Sequence, residues 1–256
     1  MLASGSSGNC IYLEQGRTKL LIDAGLSGRE TARRLGQIGV ALGDVGALCL
    51  THEHGDHVLG LGVLHQRHNL RLFANLGTIE ALRCDVRRAR YQWNVFSTGA
   101  PFLLDDLNIE PFAVSHDAGE PVGFVVTGGG RRVGVVTDIG MPTHLVREKL
   151  RGCHVVVLEA NHDEQMLTTA RRPWHLKQRV RGRLGHLSNR HAAEMLAEIA
   201  GETLQQVFLA HISADCNTPD LALDTVRRML AERGAGHVCV EPTYSDRISK
   251  VWAPVE

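Results

Sequence analysis

The stretch THEHGDH, residues 51 to 57, sets three histidines, a glutamate and an aspartate in seven positions directly behind the apolar run VGALCL. A short apolar run of this kind reads as a buried strand, so the ionisable cluster falls where that strand ends. In extended backbone, residues two apart point the same way, which lets His52 and His54 converge on one metal while Glu53 faces elsewhere. After Gly55 the chain turns and aims Asp56 and His57 at a second point nearby. Imidazole suits zinc and related divalent metals, a carboxylate can complete a site, and two metals ~3.5–4 Å apart can share a hydroxide. A lone histidine is ordinarily a surface or satisfied core residue; His-x-His-x-Asp-His at a strand end is a metal motif.

The rest of the chain alternates between strand and helix signals. Apolar runs bounded by turn residues predict strands at CIYLEQG, TKLLIDAG, ALCLTH, RLFAN, IEPFAVSH, GFVVT, RVGVVTD, HVVVLEA, QVFLAH and HVCVEP. Gly128 to Gly130 join two of them as a hairpin. Ser27 and Glu30 are spaced as a capping box, Thr218 and Pro219 open a helix, and Ser188 opens another. Weaker helical patterns cover LGVLHQRHN, LGTIEALRC and THLVREKLRG. No repeat or low-complexity linker divides the chain, so one layered α/β domain over residues 1–256 is expected.

Composition narrows the function classes. With 28 basic and 28 acidic residues, global charge demands no polyanionic partner, although local patches can still bind one. No apolar run approaches the ~18 residues of a membrane span, and MLASGSSGNC lacks the features of a signal peptide, which predicts a cytoplasmic protein without a membrane partner. The six cysteines are scattered and indicate neither disulfides nor a thiolate metal cage. The sequence carries no signal for oligomeric state.

A metal pair needs further ligands, best held at strand ends. His116 ends IEPFAVSH, Asp138 ends RVGVVTD and His211 ends QVFLAH. In this order the motifs resemble those of the metallo-β-lactamase superfamily, whose fold is a four-layer αββα sandwich. The resemblance implies that His52, His54 and His116 hold one metal and Asp56, His57 and His211 the other, with Asp138 bridging and Asp23 bracing the metal loop without ligating. It implies two divalent ions, zinc first, with manganese or iron as alternatives. Zinc β-lactamases commonly have cysteine where Asp138 stands, and di-iron members have glutamate where His54 stands, so antibiotic hydrolysis and redox chemistry are disfavoured. The stretch between Asp138 and His211 is too short for a β-CASP insertion.

The strings LASGSSGNC, LLIDAGLS, THEHGDH, VSHDA, VLEANHDEQML, GHLSN and LAHIS together resemble the YycJ (WalJ) group, bacterial hydrolases linked to DNA exonuclease activity from 5′ ends. LEA followed by HLSN is also similar to ribonuclease Z, which implies His186 as general acid with Glu159 orienting it. On the residues alone, a polar decoration ahead of the Ser188 helix cap is the favoured reading of His186, and the resemblance reverses it. Phosphodiester hydrolysis at a metal pair needs a nucleophile, neutralised phosphate charge and a proton for the leaving oxygen; Asp56 can accept a proton while ligating, and His186 can donate one. DNA is the favoured substrate over RNA.

Other features leave two readings open. SGSSGN is either a phosphate-binding loop using Ser4, Ser6, Ser7 and Asn9 or a plain turn between strands. RRPWHLKQRVRGR, residues 171–183, is either a nucleic-acid track with Trp174 for stacking or a solvated helix face; RCDVRRARYQW is a second basic run. His162 is a further contact or a brace. Two rival functions remain: a thioester or lactone hydrolase, needing neither His186 nor the basic segment, and a non-catalytic metal-stabilised regulatory protein, against which the paired Asp56 and Asp138 argue.

Overall fold

Apolar runs broken by polar turns become short strands with the helices spaced between them, and in the computed structural model, which describes residues 1–83 and 91–254, they assemble into two compact units. The first comprises Met1–Pro111, Ala118–Val122 and Tyr244–Val251; the second comprises Phe112–Asp117, Gly123–Thr243 and the chain from Trp252.

In the first unit, β1 (Ile11–Gln15), β2 (Thr18–Ile22), β3 (Ala47–Cys49), β4 (Arg71–Ala74) and β5 (Trp93–Val95) form a sheet in that order. β1 and β2 are antiparallel across Gly16, whose φ of 56° suits a tight turn, and the remaining pairs are parallel. Parallel neighbours need crossovers, and α1 (Gly28–Gly36), α2 (Gly55–Val58), α3 (Leu61–His68) and α4 (Leu76–Arg83) occupy the connections. Apart from Thr18, Lys19 and Arg71 at their starts, the interior strands are apolar, and Leu21, Leu48, Leu50, Leu61 and Leu72 lie in the core. β6 (Phe102–Leu104) and β7 (Leu107–Ala113) form an antiparallel hairpin. Only half of the expected capping box forms: Ser27 Oγ accepts the Glu30 N–H (3.2 Å), while the Glu30 carboxylate turns to Arg33 (2.6 Å) and Arg34 (2.6 Å), because charge-assisted bonds outweigh a neutral amide contact.

In the second unit, β8 (Val122–Gly128), β9 (Arg131–Val136), β10 (Val155–Glu159), β11 (Gln206–Ala210) and β12 (Cys239–Pro242) pair in the spatial order β12-β11-β10-β9-β8. β8 and β9 are the predicted hairpin, turning through Gly129 and Gly130 at φ 54° and 72°; the other pairs are parallel. α5 (His144–Leu150), α6 (Glu164–Thr169), α7 (Trp174–Arg181), α8 (Asn189–Ile199) and α9 (Pro219–Glu232) accompany them. Ser188 caps α8 through the His191 N–H, and Thr218 caps α9 through the Leu221 N–H, both as the sequence predicts. Val136, Val156, Leu158, Leu196, Leu209 and Val226 lie in the core.

All ten expected strands form. β5 and β6, of three residues each, escape a reading based on alternation because so short a run has no measurable period. Most of the basic run RCDVRRARYQW lies outside the described residues. No helix among the described residues is long and apolar enough to cross a membrane.

Candidate metal centre

In the first unit, His52 and His54 follow β3 in extended backbone, and Gly55 starts α2, so Asp56 and His57 stand on its first turn. The imidazoles cluster, with ring centroids 4.6 Å apart for His52 and His54 and 4.1 Å for His52 and His57. Glu53 turns away, its Oε1 accepting the Gly119 N–H (2.8 Å). Asp23 ends β2 in the left-handed region, at φ 63°. Its Oδ1 accepts the Thr51 N–H (2.8 Å) and its Oδ2 accepts the His57 Nδ1–H (2.8 Å), the bracing role that the resemblance implies. Donation from Nδ1 fixes the tautomer and makes the His57 Nε2 an acceptor, met here by the Asn9 side-chain N–H (3.0 Å).

Two glycines make this packing possible, and motif reading passed over both. A Cβ on Gly25 would lie 1.7 Å from the Asp56 carbonyl oxygen, and one on Gly60 would lie 2.1 Å from that of Leu26. Around them the Ala24 N–H bonds to the His57 carbonyl (2.7 Å) and the Asn9 N–H to the Asp56 carbonyl (2.8 Å). The signal available beforehand was the Gly two positions after the bracing aspartate, in LLIDAG.

In the second unit the ligand-type residues again sit just beyond strand ends. Asp138 and His211 both adopt left-handed backbone, at φ 51° and 53°, a conformation non-glycine residues hold at ~1–3 kcal/mol when the surroundings demand it. His116 Nε2 and His211 Nε2 approach Asp138 Oδ1 at 3.8 and 3.6 Å. Each ring is anchored through its other nitrogen: His116 Nδ1 lies 3.1 Å from the Gly185 carbonyl, and His211 Nδ1 donates to Glu159 Oε1 (3.1 Å). The Asn161 side chain, a contact the motifs did not reveal, donates to the His211 carbonyl (2.8 Å).

Glu159, fully buried at the end of β10, organises this half. Its Oε2 accepts the backbone N–H groups of Ile139 (2.9 Å) and Leu187 (3.0 Å), and its Oε1 also accepts from His186 Nδ1 (2.7 Å). Burial by itself would raise the Glu159 pKa; the His186 charge and the hydrogen bonds from His186 and His211 reverse this and hold it well below the usual carboxylate range. Burial pulls His186 down, but Glu159 lifts it above the ordinary histidine value. Burial lowers His116. Ligand-type atoms of Asp138, Glu159, His186 and His211 lie within 4.8 Å of one another. Anchored imidazoles around a carboxylate are the donor chemistry that divalent transition metals take, so the residues fit the expected metals.

The remaining expectations divide. Ser6 and Ser7 are exposed, whereas Ser4 and Asn9 are buried. The Asn9 side chain bonds Gly5 at both its N–H (2.9 Å) and carbonyl (3.1 Å), and reaches Asp56 Oδ2 (3.2 Å). Ser4 and Asn9 are thus tied into the loop, and through Asn9 to Asp56 and to His57 Nε2 (3.0 Å), while Ser6 and Ser7 stay exposed. Residues 174–181 form α7, which buries none of its side chains; Trp174 is exposed, and Arg179 pairs with Asp117 (2.7 Å). His162 is buried.

A family model describing a β-lactamase superfamily domain matches residues 18–212. The chain is 37% identical to exodeoxyribonuclease YycJ of Bacillus anthracis, over 92% of this chain and 90% of that protein. It is 36% identical to exodeoxyribonuclease WalJ of Streptococcus pneumoniae, over 92% and 89%. Its fold is similar to that of the metallo-β-lactamase fold protein YhfI from Bacillus subtilis, with a TM-score of 0.73 at 15% identity over 97% of each chain. The chain belongs to the metallo-β-lactamase superfamily and, within it, to the group of YycJ and WalJ.

Proposed function

We propose that the protein is a binuclear-metal phosphodiesterase that degrades DNA exonucleolytically from 5′ ends. The observation that carries this reading is the Glu159–His186 pair beside Asp138, since thioester or lactone hydrolysis has no need of a buried carboxylate holding a second-side imidazole. His52, His54 and His116 are assigned to one metal, Asp56, His57 and His211 to the other, and Asp138 to both, with residues 1–256 acting as one domain. Bound zinc, or manganese or iron in its place, would supply the nucleophilic hydroxide and neutralise charge on the phosphate.

The chain's own residues do the rest. Asp23 and Glu159 orient His57 and His211 through Nδ1. With Nδ1 committed to Glu159, His186 has its Nε2–H left to protonate the departing oxygen. Asp56 accepts a proton on the nucleophile's side. Both named curated relatives are exodeoxyribonucleases, which favours DNA over RNA. The described cysteines are all free, in keeping with a cytoplasmic setting.

Incubating the metal-loaded protein with 5′-phosphorylated and 5′-hydroxyl DNA and RNA, alongside thioester and lactone substrates, tests the assignment. DNA cleavage that falls ~10²–10⁴-fold in His186→Ala and is lost in Asp56→Ala is the expected result. Nucleic acids left intact beside a hydrolysed thioester would refute it.

A further inference from the structure

We infer that the cavity beside His186 receives the 5′-terminal nucleotide of the DNA and grips its 5′-phosphate with Arg181 and His162; this rests on the phosphodiesterase reading. The cavity has a volume of about 480 Å³ and lies within the second unit, lined by His162, Gln165, Thr168, Arg181, His186 and Arg190 among others. That is the size of a small-ligand site, with room for one nucleotide but not for a length of strand.

Its chemistry suits an anion. Arg181 Nη2 donates to Thr168 Oγ1 (2.7 Å), and Arg181 makes no ion pair among the described residues, so its charge is uncompensated. Arg190, by contrast, is held by Glu164 (3.0 Å) and Glu194 (2.8 Å), which also neutralises the carboxylate on the cavity wall. His162 is 2% exposed, and its Nδ1 has no hydrogen-bond partner. Buried polar atoms are ordinarily bonded, and a small turn of the ring toward the cavity that His162 lines would let a ligand oxygen complete this one. Burial pushes the His162 pKa down to about 4, so the neutral ring presents one donor and one acceptor.

The position of the cavity selects the end of the strand. In hydrolysis that leaves a 5′-phosphate on the remaining DNA, the water oxygen bonds to phosphorus, the P–O3′ bond breaks, and His186 gives its proton to O3′. His186 therefore stands on the side of the nucleotide that keeps the 3′-oxygen, which is the nucleotide 5′ to the cut. A one-nucleotide cavity on that side admits the terminal residue, with its 5′-phosphate reaching Arg181.

Calorimetric titration of thymidine 5′-monophosphate and of thymidine into the metal-loaded protein, with parallel assays on 5′-phosphorylated and 5′-hydroxyl DNA, tests the site. The monophosphate is expected to bind the wild type and to bind Arg181→Ala and His162→Gln at least tenfold more weakly; thymidine should bind each poorly. The wild-type preference for 5′-phosphorylated DNA should collapse in Arg181→Ala, an exposed position where folding is not at stake. Equal binding of the monophosphate by wild type and Arg181→Ala, or none by the wild type, overturns the inference. DNA left intact despite Arg181-dependent monophosphate binding removes the nuclease reading and keeps the pocket. Cleavage with no 5′-phosphate preference and no Arg181 dependence does the reverse.

Discussion

Replacing Glu159 by glutamine changes one atom in a fully buried side chain and breaks the logic of the second unit. Glu159 Oε2 accepts two backbone N–H groups, at 2.9 and 3.0 Å, and Oε1 accepts from His186 (2.7 Å) and His211 (3.1 Å). In Glu159→Gln the amide oxygen keeps the backbone pair, so the amide NH2 faces two Nδ1–H donors. Both rings must then shift their proton to Nε2, which removes the His211 lone pair assigned to a metal and the Nδ1–H bond that orients His186. Two charge-assisted bonds at ~1.5–3 kcal/mol each give ~3–6 kcal/mol, which at ~1.4 kcal/mol per decade is ~10²–10⁴ in turnover. Metal affinity should fall ~10–100-fold, as for other carboxylates that orient a ligating histidine. Steady-state turnover on 5′-phosphorylated DNA, with metal content by mass spectrometry and a thermal melt to confirm folding, measures both. A folded Glu159→Gln protein with full metal content and turnover within threefold of wild type would refute the reasoning.

Gly25→Ala is expected to unseat the metal loop, because its Cβ would occupy the Asp56 carbonyl position and the backbone must move; overpacking of this kind destabilises by ~1–3 kcal/mol or more, read as a lowered denaturation midpoint together with lost metal binding. His162 makes stability fall with acid. Its pKa is about 4 in the fold against an ordinary 6.5, so the unfolded chain binds the proton more readily, and its contribution is present above pH ~6.5 and lost as pH falls toward ~4. Urea unfolding at pH 7 and pH 5 should show a shallower pH dependence in His162→Gln than in wild type, and identical slopes would exclude the effect.

Much of the protein was legible in the sequence because the signals are local. Alternation and apolar runs placed ten strands, the paired glycines after β8 placed a hairpin, and Ser188 and Thr218 capped the helices expected of them. His116, Asp138 and His211 could be chosen as ligand candidates because each closes an apolar run. The Ser27 box half failed because two arginines one turn away competed for Glu30.

Other features depend on atoms far apart in the chain. Glu159 closes the run HVVVLEA and looks like any charge at a strand end until folding buries it and brings His186 and His211, 27 and 52 positions later, to the same oxygen. Gly25 is an ordinary turn residue until the Asp56 backbone lies against it. Ser4 and Asn9 read equally as substrate contacts or as parts of a plain turn, and only the fold shows Asn9 tied to the backbone of its own loop and to Asp56. The orphaned His162 nitrogen and the uncompensated Arg181 share one cavity only once α6, α7 and α8 are in place. Residue types and spacing determined which chemistry this chain can perform, since ligand identity is a property of the side chain. Tertiary structure decided which groups are buried, which tautomers they hold and where a substrate can sit, since these depend on contacts that no local pattern encodes.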